Sequence, residues 1–102
     1  MIGELMRLIR VFNDLTLSEL AEILGISVSY LSEIENSKKQ PTLDFVKQFS
    51  NHFKIRPSTI MFFIEEIDQM PAKKNMKDVV RKNFLKFLKY VESGSNVRLA
   101  EK

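Results

Sequence analysis

Side chains with hydrogen-bonding or ionic chemistry are dense between positions 16 and 39, and their types suit binding better than catalysis. His52 is the single histidine and there is no cysteine. A thiolate metal site, a disulfide framework and a Cys/His nucleophile are therefore excluded. No Ser/His/Asp arrangement, metal-ligand cluster or phosphate-binding glycine loop stands out. His52 reads as a surface residue, and Glu65, Glu66 and Asp68 as a solvated face. The cofactor and metal expectation is none. The hydroxyl, amide and ammonium groups of this stretch have the chemistry of anion binding. Thr16 and Ser18 open a segment whose helix amides and dipole would favour a phosphate. Tyr30, Asn36, Lys38 and Lys39 follow as further hydroxyl, amide and ammonium candidates for phosphate contact.

Two short helices must carry these groups. The stretch TLSELAEILGISVSYLSEIEN, Thr16 to Asn36, holds one apolar stripe of Leu20, Ala21 and Leu24 and a second of Leu31 and Ile34. Gly25 follows the first stripe, where a left-handed cap needs no Cβ. Ser27 then stands at the N-cap of the next helix. Ala21 is small, so the second helix can cross close to the first. Such a pair describes a helix-turn-helix, whose second helix enters the DNA major groove.

The segment Leu5 to Phe62 resembles the Cro/repressor, Xre-like family of helix-turn-helix regulators. The matching residues are Thr16, Leu20, Ala21, Gly25, Ser27, Leu31, Ile34, Glu35, Asn36, Lys38 and Pro41. The start MIG, the run LSELAEILGISVSYLSEIE and a lysine-rich later helix also resemble SinR-type repressors. The resemblance implies that Val28, Ser29, Ser32 and Glu33 face the bases. Ser29 and Ser32 read several bases weakly, Glu33 accepts from cytosine N4, and Val28 suits a thymine methyl. No Arg, Asn or Gln stands among them, so direct readout is modest and DNA shape contributes. The resemblance also implies a buried ion pair between Arg10 and Glu35. Two positions depart from the family pattern. Leu17 replaces a common Gln, and Ser37 replaces a common Gly, so the turn after the third helix is open to change.

The remaining elements follow from periodicity and caps. Leu5, Leu8, Ile9 and Phe12 predict a first helix over 2–12. Thr16 with Glu19 forms a capping box. Thr42 caps a fourth helix with Phe45, Val46, Phe49 and Phe53 on its apolar face, and Pro57 opens a fifth. Helix five is apolar in nearly every direction, which requires burial on more than one side. Met70-Pro71 interrupts the pattern. A sixth, amphipathic helix is expected over 72–91, followed by a frayed end.

The expected fold is all-α: a lambda-repressor-like five-helix domain over 1–69 and a helical extension over 70–102 for dimerisation or partner binding. Residues 1–70 hold seven Lys/Arg and ten Asp/Glu, a balance of −3. Residues 71–102 hold nine and three, a balance of +6. The tail can thus add electrostatic attraction for DNA. No apolar run reaches the roughly 18 residues of a membrane span, and Glu4, Arg7 and Arg10 do not suit a signal peptide. A cytoplasmic protein of a bacterium or phage is expected.

The leading functional expectation is a dimeric repressor on an inverted-repeat operator in double-stranded DNA. Phe63, Ile67, Val80, Phe84, Phe87 and Val91 are the expected homodimer interface. The alternative is an antitoxin or adaptor whose C-terminal helix binds a protein partner while the helix-turn-helix regulates its own promoter. An enzyme is not expected.

Overall fold

The computed structural model describes residues 2–69 together with 78, 81–84, 86, 88 and 89. The fold is all-helical. Helices α1 (Ile2–Phe12), α2 (Leu17–Leu24), α3 (Val28–Glu35), α4 (Leu43–Phe53) and α5 (Pro57–Asp68) follow in order. The described residues of the tail are helical as well.

Local chemistry sets the boundaries of these short helices. Thr16 Oγ1 accepts from the Glu19 N–H at 3.0 Å, and Glu19 Oε1 accepts from the Thr16 N–H at 2.8 Å. This capping box satisfies two donors at the α2 N-terminus. Gly25 ends α2 at φ 69°. Ser27 and Thr42 cap α3 and α4 through the N–H groups of Tyr30 and Phe45. Ser37, in the place of the expected Gly, takes φ 61°. The left-handed turn after α3 is therefore kept, with a residue for which it is strained.

The core is built from Leu5, Met6 and Ile9 of α1, Leu20, Ala21 and Leu24 of α2, and Leu31 and Ile34 of α3, with Phe45, Val46 and Phe49 of α4 and Ile60 and Phe63 of α5. Helix α3 packs on both α1 and α2, and α5 packs on α4. Ala21 of α2 is buried, and α2 packs on α3. Leu17 is half-buried against the same core, so its apolar side chain serves packing.

The tail returns to α1. Arg81 Nε donates to Glu4 Oε2 at 3.1 Å, and the Phe84 ring meets Phe12 edge-on with centroids 6.1 Å apart. Glu4 is buried, so this cation answers a carboxylate that would otherwise be costly. Phe84 and Leu88 pack against the core, and Phe63 is buried within the same chain. Of the other residues expected at a dimer interface, Val80, Phe87, Val91 and the Ile67 side chain lie outside the described residues.

Candidate nucleic-acid interface

Helix α3 is held from behind and open in front. Leu31 and Ile34 are fully buried, while Val28 and Ser29 are exposed and Ser32 and Glu33 are half-exposed. The four expected base-facing residues thus share the solvent side of one helix.

The seat of α3 is ionic as well as apolar. Arg10 Nε and Nη2 donate to the two Glu35 carboxylate oxygens at 2.7 and 3.0 Å. Arg10 Nη1 donates to the Leu15 carbonyl at 2.8 Å. The side chains are 12% and 4% exposed, so the fork is nearly dry. This bidentate geometry fixes the end of α3 against α1 and the α1–α2 turn. Gly3 brings the backbones together at the same place: a Cβ there would overlap the Ile34 carbonyl oxygen.

Of the six residues expected on phosphates, five are exposed and one is half-buried. Thr16 and Ser18 are exposed at the start of α2. The Thr16 hydroxyl accepts from Glu19 and keeps its own proton to donate. The Thr16 backbone N–H, and then its side chain, hold the Glu19 carboxyl below its ordinary value. Tyr30 is half-buried, with its ring edge-on to Phe45 at 6.0 Å. Asn36, Lys38 and Lys39 are exposed in the turn after α3.

Two ties within this surface are not visible in the pattern of residue types. Asn36 Nδ2 donates to the Ser32 carbonyl at 2.9 Å and to Ser32 Oγ at 3.3 Å. Lys39 Nζ lies 3.5 Å from Glu33 Oε1 and 5.6 Å from the centre of the Tyr30 ring. The second tie needs the turn itself. The Lys38 and Lys39 N–H groups both donate to the Glu33 carbonyl, which brings the lysine back over α3. A spacing of six residues is not a helical pair, so periodicity gave no signal for it. The Glu4–Arg81 pair was equally silent, being 77 positions apart.

A helix-turn-helix family model matches residues 6–60. The chain belongs to that helix-turn-helix family, of the Cro/repressor, Xre-like kind. A solved complex of the SinR protein with the SinI protein superposes with a TM-score of 0.59 at 27% identity. The match covers 94% of this chain and 99% of that one. No curated protein sequence matches the chain. The helix-turn-helix chain is accordingly a DNA-binding transcriptional regulator. Among the described residues, no helix is long and apolar enough to cross a membrane, and no group of three or more potential metal ligands occurs. His52 is exposed on α4, against the neighbouring Phe53 ring.

Proposed function

We propose that this regulator is a cytoplasmic, non-enzymatic repressor that binds an inverted-repeat operator as a homodimer. The unit over 1–69 carries DNA recognition and that over 70–102 supports association. The observation that carries the reading is the geometry of α3. Its rear is locked by Leu31, Ile34 and the Arg10–Glu35 fork, and its front presents Val28, Ser29, Ser32 and Glu33. Thr16, Ser18, Tyr30, Asn36, Lys38 and Lys39 then serve the phosphates on either side. A two-fold protein reads two half-sites, so operator symmetry follows from protein symmetry.

A second surface suited to association lies within 1–69, beside α5. Met61 is 53% exposed and lines a cleft of about 440 Å³ with Ile2, Leu43, Val46, Pro57 and Ile64. Leu43, at 67%, is more exposed still. A second reading is favoured by the likeness to SinR solved with SinI: the C-terminal helix would take a protein partner while the helix-turn-helix acts on its own promoter.

Selection of duplexes from a random pool tests the reading, followed by titration of variants. Ser29→Ala is expected to change the preferred half-site. Lys38→Ala is expected to weaken all duplexes alike and to lower the salt slope by about 0.9 per contact. Uniform losses from both substitutions would remove α3 from the role of reader.

A further inference from the structure

Glu33 is an anomaly on a surface that meets a polyanion. It is the carboxylate among the proposed base readers, its side chain is 42% exposed, and phosphate repels it. Lys39 answers it at 3.5 Å while lying over the Tyr30 ring. Phe45 holds that ring edge-on from the core, so the lysine rests on a fixed platform. The turn is fixed too, by the two N–H donations to the Glu33 carbonyl. Lys39 is 54% exposed, and an ion pair this open is weak and exchanges its partners readily.

We propose that Glu33 and Lys39 form an exchange pair that couples base reading to phosphate contact, with Lys39 as a specificity-determining residue. Where cytosine faces Glu33, its N4 amino group donates to the carboxylate and takes the place of Lys39. The released ammonium then turns to a phosphate. Where thymine stands instead, O4 and the carboxylate are both acceptors and repel each other. Glu33 keeps Lys39, and the phosphate contact is not made. Each cytosine therefore brings two interactions, and its replacement removes both. This inference rests on the DNA-binding reading and assigns the base class that α3 selects.

The test begins with a duplex selected by the wild-type protein. A partner duplex carries T·A in place of the C·G pair that faces Glu33 in each half-site. Association is measured from about 50 to 200 mM salt, the range over which counterion release is read as a slope. The expected wild-type slope is steeper on the cytosine duplex by about 0.9 per half-site. Lys39→Gln should bring the two slopes together and reduce discrimination between the duplexes. Glu33→Gln should leave Lys39 on phosphate in both, with two steep slopes. Both residues are on the surface, and thermal melting of each variant checks that the fold is kept. Equal wild-type slopes would overturn the exchange pair, as would a selected duplex with no cytosine whose choice depends on Glu33. Absence of preferred binding to any duplex would instead remove the DNA-binding reading together with the pair.

Discussion

Arg10 ties three parts of the domain with one planar group. Two of its nitrogens hold Glu35 at the end of α3, and a third holds the Leu15 carbonyl before α2. Removing the cation strands a buried carboxylate, which is costlier than losing the whole pair. Arg10→Met is therefore expected to destabilise by about 3–5 kcal/mol in urea unfolding, and Arg10→Met with Glu35→Leu to recover most of that. Gly25 and Gly3 separate strain from overlap. Gly25 stands at φ 69° with open space where a Cβ would go. Gly25→Ala meets backbone strain alone, about 1 kcal/mol. At Gly3 the Cβ would strike the Ile34 carbonyl, a rigid backbone atom. Gly3→Ala is expected to cost about 2–3 kcal/mol, because α1 must move off α3. Equal midpoints for the two variants in urea would contradict this account. Gly25 was legible in the sequence, since a cap is a local requirement beside an apolar stripe. Gly3 was not, because its reason lies on another helix.

Helices α2 and α3 are each eight residues long, too short to persist without caps and a core. That is why the starts of α2 and α3 could be read from Thr16 and Ser27, and the end of α2 from Gly25: each of these caps acts within three residues of itself. The turn after α3 could not be read in the same way. Ser37 accepts a left-handed backbone because the flanking hydrogen bonds to Ile34 and Glu33 over-determine the turn. The start of α2 also carries a pH signature. Glu19 is held below its ordinary carboxylate value by Thr16, first through the backbone N–H. A folded-state value lowered in this way adds stability above the unfolded value, and the gain is lost as pH falls through the folded value. Glu19→Ala should therefore be less stable than wild type at neutral pH, and the difference should shrink below the ordinary carboxylate range. Thr16→Ala should cost about 1 kcal/mol at neutral pH by thermal melting. A gap between Glu19→Ala and wild type that widens in acid would contradict the capping account.

At the scale of the whole molecule, the apolar surplus of α5 and of the tail is divided between two destinations. The sequence showed both surpluses, because periodicity reports how much of a helix is apolar. It could not show where each goes, because that depends on pairs such as Phe12–Phe84 and Glu4–Arg81, distant along the chain. Phe84 is taken up by α1 in the same chain, so Phe84→Asp should first loosen the tail and lower the melting temperature. The cleft beside α5 is different. Leu43 and Met61 line it while remaining more than half exposed, so a single chain gains little from their apolar side chains. A second copy would gain by covering them. Leu43→Glu with Met61→Glu is therefore expected to leave the melting temperature of the monomer nearly unchanged and to shift sedimentation towards monomer. Operator affinity should fall with it, because each half-site is then held alone. If the double variant sediments as wild type does while Phe84→Asp becomes monomeric, the tail rather than the cleft joins the two copies. If neither substitution alters sedimentation across protein concentrations, the homodimer is formed by a different surface.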